Sequence, residues 1–370
     1  MRERFETMNL EQTYLAAQRV TDCMMKLKSD GVKEKFPISL IDVNCWEWPQ
    51  GIGLYGLYKT YLRSHDQKVL DFLINWYDAR IREGILEKNV NTTSPMLTLS
   101  YIYELCPKPE YLALMQEWAD WIMDPNGLIR TGDECFQHMI TGDPNDGELL
   151  IDTLFMTLLF MVRAGKLLQR PELVDEAYFQ ILNHVKYLYD KTHRLFYHGW
   201  NFNRNDNYGE IHWGRGNAWY TVGIMELAEM DPDMDPAIRH FLLNIYRQQT
   251  DSLRRLQDAA TGQWHTVLDD DTSYIEMSAS AGFLCGIMKG VRLGVLPEEA
   301  YMDVIRAGTA RMQDYISENG DVLQVSYGTP IGLNGDFYKE IPCCTMTYGQ
   351  ALMLLLLEEM LDPHWKELLK

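Results

Sequence analysis

The chain has 370 residues, of which 46% are hydrophobic and 24% are charged, a balance typical of a globular protein with a large apolar core. The net charge is −19 and no run of Lys or Arg interrupts the acidic composition, which argues against nucleic-acid binding. The first ten residues lack the apolar segment of a signal peptide, and the longest apolar run, residues 351–357, is far shorter than the roughly 20 residues of a membrane span. Seven scattered cysteines without a CxxC motif favour a reduced, cytoplasmic protein.

Apolar residues three and four positions apart predict helices along most of the chain. The helices predicted in the first half are 10–29, 51–62, 66–82, 96–105, 110–123 and 149–168. Those predicted in the second half are 172–189, 216–229, 236–256, 277–293, 298–315 and 346–361. Pro and Gly clusters between them are turn and helix-start signals. Two short extended pieces, 263–268 and 322–325, are predicted to form small hairpins.

The predicted helices follow one another in pairs, which fits either an open helical solenoid or a closed toroid of helical hairpins. A solenoid would show a repeated sequence period, and none is present. Long polar and aromatic loops at 125–148, 190–215 and 319–345 are the kind of loops that carry functional sites on a regular scaffold. We therefore predict an all-α fold, an (α/α)6 barrel of six helical hairpins. No linker interrupts the chain, so one domain is predicted over residues 1–370.

The segment 149–162 is apolar on nearly every face and contains one ionisable residue, Asp152. A buried carboxylate is costly unless it is paired or protonated. Burial would raise the pKa of Asp152, which suits a general acid working near neutral pH. The alternative is a structural role, in which Asp152 caps a neighbouring helix or pairs with an Arg. The polar and aromatic loops around it favour the catalytic interpretation.

A second group of chemically versatile residues lies in 198–220 and includes His198, Trp213, Arg215 and Trp219. A glycine on each side of Arg215 would let the backbone approach a ligand closely. The Arg guanidinium can pair with a carboxylate through two hydrogen bonds, and the tryptophans offer flat surfaces for stacking on a sugar ring. The alternative is a structural arginine among packed aromatic residues.

Three weaker signals accompany these groups. His138, in the loop before Asp152, could bring a hydrogen-bonding imidazole to the same pocket, although a loop histidine is often merely solvated. The acidic triplet 269–271 suggests either a metal site or the acid motif of class II terpene cyclases, but its spacing differs from that motif, so a solvated helix start is the simpler interpretation. Asn91 and the threonines after it precede Pro95, and helix capping accounts for them. The nine histidines are dispersed without an HExxH motif and no phosphate-binding glycine loop occurs, so we predict no metal and no cofactor.

Several motifs, taken in order, resemble glycoside hydrolase family 105, the unsaturated rhamnogalacturonyl hydrolases, which are related to the unsaturated glucuronyl hydrolases of family 88. The matching segments are 136–138 (FQH), 150–156 (LIDTLFM), 213–219 (WGRGNAW), 262–269 (GQWHTVLD), 274–281 (YIEMSASA), 325–329 (VSYGT) and 348–350 (YGQ). The combination of IDTLFM with RGNAWY is specific. The resemblance extends from about residue 40 to the C-terminus.

The resemblance implies an (α/α)6 barrel with an open cleft, and a hydration reaction in place of ordinary glycoside hydrolysis. Polysaccharide lyases leave a terminal uronate with a C4=C5 double bond. In the family, one Asp protonates C4 and activates the water that adds at C5, and the resulting hemiketal opens and releases the aglycone. Asp152 matches that residue. The resemblance makes Arg215 and His198 candidates for binding the uronate carboxylate and hydroxyls. It implies that Trp213 and Trp219 form walls of the cleft and that His138 orients substrate or water.

Two departures from the family leave the substrate open. Asn91, a candidate substrate-binding residue, stands where many relatives carry an Asp, and an Asn would remove a charge that raises the pKa of Asp152. The 139–148 loop differs from that of the rhamnogalacturonan-specific members. Unsaturated galacturonyl-rhamnose and unsaturated glucuronyl oligosaccharides are therefore both candidate substrates.

Other enzyme classes and a binding protein stay open as alternatives. A two-carboxylate glycosidase would need a second acid at a defined separation from the first. An epimerase would need a pair of pocket histidines from among His138, His198 and His212. A helical binding scaffold without catalytic activity would need no catalytic residues. The expected partner is an unsaturated uronyl disaccharide or short oligosaccharide, with no nucleic acid and no membrane, and the protein is expected to be a monomer or homodimer. Because the net charge of −19 repels a uronate, local cations must bind it, and we expect Arg215→Ala to weaken substrate binding.

Overall fold

The computed structural model describes residues 9–28, 41–85 and 87–369. These ranges contain twelve helices of nine residues or more and one short helix. In chain order they are α1 (Leu10–Met24), α2 (Trp48–Ser64), α3 (Gln67–Glu83), α4 (Val90–Leu105), α5 (Pro109–Met123), α6 (Leu159–Leu167), α7 (Pro171–Leu188), α8 (Gly214–Met230), α9 (Pro236–Leu256), α10 (Met277–Arg292), α11 (Glu298–Thr309), α12 (Gly335–Lys339) and α13 (Thr347–Met360). Within the described ranges, no helix combines the length and apolar character needed to cross a membrane.

The helices form two concentric layers. The inner ring consists of α2, α4, α6, α8, α10 and α13, and each packs on the next, with α13 closing the ring against α2. The outer layer packs on it hairpin by hairpin, with α1 on α13, α3 on α2, α5 on α4, α7 on α6, α9 on α8 and α11 on α10. Nearly every residue of α8 and α10 is buried, because these inner helices are surrounded by protein. α9 buries only one face, because it lies in the outer layer. The predicted all-α (α/α)6 barrel is confirmed.

A buried ion network fastens three helices of the inner ring together. The Glu226 carboxylate of α8 lies 2.7 Å from Nζ of Lys59 on α2 and 2.6 Å from Nζ of Lys289 on α10. The Tyr55 hydroxyl donates a hydrogen bond to the same carboxylate at 2.5 Å. Burial raises the pKa of Glu226, but the two lysines outweigh it and hold that pKa well below its usual value.

Four short strands lie between the helices at one end of the barrel: β1 (Glu148–Leu150), β2 (Tyr189–Asp190), β3 (Leu195–Phe196) and β4 (Gly199–Asn201). β1 pairs with β4 and β2 pairs with β3, both antiparallel. The predicted helix start at residue 149 is therefore wrong, because residues 148–150 extend along 199–201 instead. The pieces 263–268 and 322–325 do not form hairpins of their own but make isolated bridges, such as Trp213 to Val267 and Ile316 to Val322.

Two helix starts give the site its shape. α4 begins at Val90 after the capping residue Asn89, whose side chain accepts a hydrogen bond from the Thr92 amide, so this polar cluster does start a helix, as predicted. Between Asp152 and α6, residues Leu154–Leu158 form one π-helical turn, a feature often found at functional sites. The helix that follows Asp152 is thus not a regular α-helix in its first turns.

Candidate active site

A cavity of about 220 Å³ lies where the inner helices begin. Trp48 is the first residue of α2, Asn91 lies in the first turn of α4, and Asp152 directly precedes the π turn that leads into α6. The lining residues come from these helix starts and from three loops: Trp48, Asn91, His138, Ile140, Asp143, Asn145, Glu148, Leu150, Asp152, Met156, His198, Thr329, Pro330 and Ile331. Helix N-termini carry partial positive charge, which favours an anionic ligand at this end of the barrel.

Asp152 is held at the cavity wall by two other predicted site residues. Its Oδ1 accepts a hydrogen bond from the indole Nε1 of Trp219 at 3.1 Å. Its Oδ2 lies 3.5 Å from Nε2 of His198, slightly beyond a normal hydrogen bond. The side chain is 15% exposed, so the carboxylate is enclosed by protein yet open to the cavity. These contacts fix its orientation.

The charge state of Asp152 differs from the one expected from burial alone. Burial raises its pKa, but His198, His138 and Arg215 lie close enough to outweigh that effect, and the pKa is held below its usual value. The predicted raised pKa is therefore wrong for the free enzyme. The sequence predicts that Asp152 is enclosed, but not that His198, His138 and Arg215 lie near it.

The two histidines of the cavity are fixed by different partners. Nδ1 of His138 lies 2.8 Å from the Thr153 hydroxyl, and burial lowers the pKa of His138 to about 4, so this imidazole is neutral. Nδ1 of His198 lies 2.7 Å from the Tyr338 hydroxyl, which leaves Nε2 facing Asp152. The ring of His198 also packs on Trp213, with 4.1 Å between centroids. The structure thus brings Asp152, His138, His198 and Asn91 together at one cavity.

Trp213, Arg215 and Trp219 lie behind the cavity wall. All three are at most 1% exposed, and none of them lines the cavity. Trp219 contacts Asp152, and Trp213 supports His198. The expected role of the two tryptophans as walls is therefore corrected: they support the residues that form the wall.

The Arg215 guanidinium organises a loop of the site. It lies between the rings of Trp213 and Tyr348, 4.6 Å from each centroid. Nη1 donates to the carbonyl oxygen and hydroxyl of Ser326 at 3.0 and 2.5 Å, and Nη2 donates to the Thr329 hydroxyl at 2.9 Å. Since Thr329 lines the cavity, Arg215 reaches the site through that loop. Direct binding of a substrate carboxylate by Arg215 stays a prediction.

The glycines beside Arg215 serve packing within the protein. A Cβ atom on Gly214 would lie 2.9 Å from the carbonyl oxygen of His265, and one on Gly216 would lie 2.8 Å from the Ile151 side chain. The expected close approach is therefore between backbone and protein neighbours, not between backbone and a ligand. It lets the first turn of α8 sit directly against the Asp152 segment.

A model of glycosyl hydrolase family 88 matches residues 16–363, almost the whole chain. The chain belongs to glycosyl hydrolase family 88. The unsaturated rhamnogalacturonyl hydrolase YesR of Bacillus subtilis is 30% identical over 325 residues, which cover 85% of this chain and 90% of that relative.

Solved structures place this family 88 protein beside members of family 105. A structure from Salmonella enterica serovar Paratyphi A, described as a possible member of family 105, is 37% identical, with a TM-score of 0.91 over 98% of this chain and 97% of that one. A similarly described structure from Klebsiella pneumoniae is 36% identical, with a TM-score of 0.90 over 98% and 96% of the two chains. The resemblance to family 105 is confirmed, and the protein is a glycoside hydrolase of a group that acts on unsaturated uronyl sugars.

Four residues of this family 88 site have no role in the sequence prediction: Trp48, Glu148, Thr329 and Tyr338. Trp48 stacks on Tyr348 at 4.6 Å and forms part of the cavity wall. Glu148 belongs to β1 and accepts a hydrogen bond from the Tyr208 hydroxyl at 2.5 Å. Thr329 lies in a segment with a family motif, which was a usable signal. The other three lie in segments without one.

Proposed function

We propose that this family 88 enzyme removes a 4,5-unsaturated uronate from the non-reducing end of lyase-generated oligosaccharides by hydrating its C4=C5 double bond. The observation that carries the proposal is the Asp152 carboxylate, oriented by Trp219 and His198 at the wall of a small cavity. At about 220 Å³ the cavity is smaller than the roughly 300–1,000 Å³ of ordinary ligand pockets, so it suits one terminal sugar.

In the proposed reaction, the protonated Asp152 carboxyl donates its proton to C4 as the electron pair of the C4=C5 bond forms the new C–H bond. Water adds its oxygen to C5 and returns a proton to the Asp152 carboxylate. The hemiketal at C5 then opens to a ketone, and the hemiacetal left at C1 releases the aglycone. One carboxyl group performs both proton transfers, so the reaction needs no second acid.

The low pKa of Asp152 in the free enzyme requires a source for its proton. A uronate carboxylate that binds nearby raises the pKa of Asp152 because like charges disfavour ionisation. In this proposal the substrate itself promotes protonation of the acid that attacks it. A substrate without the carboxylate would bind without protonating Asp152.

The charge of the cavity favours a neutral second sugar. Among the residues that the structure describes, the lining includes the carboxylates of Asp143, Glu148 and Asp152 but no Lys or Arg. Asp143 is exposed and marks the open side, where the sugar after the uronate would lie. A sulfated or acidic sugar at this position would be repelled by these carboxylates, whereas uncharged rhamnose would not be. Unsaturated galacturonyl-rhamnose is therefore the preferred substrate, and sulfated glucuronyl disaccharides the poorer one.

Glu148 gives one observation in favour of the two-carboxylate glycosidase, because it is a second carboxylate at the same cavity. The two mechanisms predict different effects of substitutions and different substrates. Both mechanisms end in loss of the ultraviolet absorbance of the conjugated C4=C5 uronate, because a uronate freed by ordinary hydrolysis opens to an enol that tautomerises to a ketone. The saturated disaccharide separates them, because only a two-carboxylate enzyme cleaves it.

The test compares wild type, Asp152→Asn and Glu148→Gln on unsaturated and saturated galacturonyl-rhamnose and on a sulfated unsaturated disaccharide. We expect wild type and Glu148→Gln to lose absorbance and release rhamnose at equal rates, and Asp152→Asn to do neither. Cleavage of the saturated sugar, with both variants inactive, would replace hydration by a two-carboxylate mechanism. Faster turnover of the sulfated sugar would overturn the choice of substrate while leaving the reaction intact.

A further inference from the structure

A cluster of metal-ligand side chains lies outside the cavity lining. Asp190 ends β2, His193 lies in the turn that leads to β3, and His212 lies just before α8. Asp190 Oδ2 is 2.5 Å from Nδ1 of His193 and 3.2 Å from Nε2 of His212, and the three atoms lie within 4.8 Å of one another. Asp190 and His212 are buried, whereas His193 is exposed, so the cluster is open to solvent on one side.

The surroundings of His212 are unusual for a neutral imidazole. Its Nδ1 lies 2.8 Å from Oδ2 of Asp269, and its Nε2 faces Asp190, so both ring nitrogens point at carboxylate oxygens. A neutral imidazole carries one N–H, and it can donate to only one of the two. The other contact needs either a second proton on the ring or a cation between the nitrogen and the carboxylate.

The same arrangement is the one that metal-binding histidines adopt. Such a histidine usually donates its second N–H to a carboxylate, which fixes the tautomer and directs the free nitrogen at the ion. Asp269 is in position to do this for His212. On Asp190, Oδ1 already accepts a hydrogen bond from the Thr192 amide at 2.7 Å, which turns Oδ2 towards the two histidines.

We propose that Asp190, His193 and His212 form a binding site for a divalent transition-metal ion such as zinc, with Asp269 orienting His212. Two imidazoles and one carboxylate suit zinc, and a water molecule would take the fourth position on the exposed side. Bonds of about 2.0 Å to a tetrahedral ion place ligand atoms ~3.3 Å apart. The observed 2.5 and 3.2 Å distances come to this spacing with a small rotation of the His193 side chain, 57% of which is exposed.

An ion at this site would join two segments that form the active site. His198 lies two residues after β3, and Trp213 directly follows His212. The rings of His198 and Trp213 pack together with 4.1 Å between their centroids. The ion would fasten the β2–β3 hairpin to the start of α8 and so hold His198 against its support. Its role is structural, and the proposal is independent of the reaction assigned to the cavity.

The test uses the full chain, treated with a chelator and titrated with Zn²⁺ by calorimetry, with the melting temperature measured alongside. The expected results are one Zn²⁺ per chain and a higher melting temperature with the ion bound. His193→Ala should abolish this binding, and Asp269→Asn should weaken it by about 10- to 100-fold. His240→Ala, at an exposed histidine of α9, is the matched control and should bind as wild type does.

Cobalt substitution separates this site from binding by the cysteines. We expect Co²⁺ to give the visible bands of a nitrogen- and oxygen-ligated ion without the charge-transfer band of a thiolate. Absence of stoichiometric Zn²⁺ binding to wild type would overturn the proposal. Binding that survives His193→Ala, or a thiolate band with Co²⁺, would overturn it as well, because the ion would then be held elsewhere.

Discussion

The hydrogen bond from Trp219 to Asp152 should contribute to the pH dependence of the enzyme. The indole Nε1 donates to Asp152 Oδ1 at 3.1 Å, and this bond favours the ionised carboxylate. A hydrogen bond to a charged group contributes roughly 1.5–3 kcal/mol, and its length here places it at the lower end. Since one pKa unit corresponds to about 1.4 kcal/mol, Trp219→Phe should raise the pKa of Asp152 by about one unit.

The pH profile of kcat/KM on unsaturated galacturonyl-rhamnose measures this change, because it reports the ionisation of groups in the free enzyme. In the proposed mechanism hydration starts from the protonated carboxyl, so the rate is expected to fall as pH rises through the pKa of Asp152. In Trp219→Phe this descending limb should move to higher pH by about one unit. The absolute rate is expected to change too, because a weaker acid transfers its proton less readily.

Trp264→Phe is the matched control. Trp264 is equally buried, but its Nε1 donates to the carbonyl oxygen of Leu253 at 2.8 Å and has no contact with Asp152. Both variants leave a similar space in the barrel, and only one removes a donor from the carboxylate. A descending limb that stays in place in Trp219→Phe, or that moves equally in Trp264→Phe, would refute the reasoning.

Three further predictions concern the loop, the core and acid stability. Arg215→Ala should lower kcat and the melting temperature together, because it releases Ser326 and Thr329. A higher KM with kcat unchanged would instead indicate that Arg215 binds the substrate directly. Lys289→Met leaves buried Glu226 with fewer partners and should lower the urea unfolding free energy by about 3 kcal/mol; a change below about 1 kcal/mol would contradict this. The pKa of His138 falls from 6.5 to about 4 on folding, so between these values only the unfolded chain takes up the proton and stability decreases as pH falls, by up to about 3 kcal/mol. In His138→Gln, urea midpoints at pH 7 and 4.5 should differ less than in wild type.

The barrel could be predicted from the sequence because its signal is repeated in every hairpin. Helical periodicity, Pro and Gly at the gaps and the lack of a sequence repeat together leave few architectures. The sequence does not reveal the structure of 148–158, because this segment is largely apolar and lacks a clear period, and such a run fits a strand, a π turn or a buried helix equally well.

The sequence predicts which residues belong to the candidate site, but not which of them line the cavity and which lie behind its wall. Asp152, His138, His198 and Asn91 do line one cavity. Which way Trp213 and Arg215 point depends on the rotation of α8 against its neighbours. Nearly every residue of α8 is buried, polar ones included, so its sequence does not reveal that rotation. The low pKa of Asp152 likewise depends on side chains that only the folded chain brings near.

The proposed metal cluster shows the same limit over a longer distance. Its ligands are separated by up to 22 residues, from Asp190 to His212, and Asp269 is further still. No helix or local motif connects them, so a search for regular histidine spacing does not find them. The β2–β3 hairpin and the approach to α8 bring them together.

The π turn at Leu154–Leu158 makes the position of Asp152 sensitive to the length of the chain at this point. A π turn accommodates one more residue than an α-helical turn in the same hydrogen-bonded length. Loss of one residue there would restore a regular helix that still packs in the ring, at little cost to folding. It would also rotate everything before it by about 100°, the angle per residue of an α-helix, and carry the Asp152 carboxylate away from Trp219 and His198. A chain with such a deletion is therefore expected to keep the barrel while Asp152 loses its contacts with Trp219 and His198, so the length of this one turn matters to the site as much as the aspartate does.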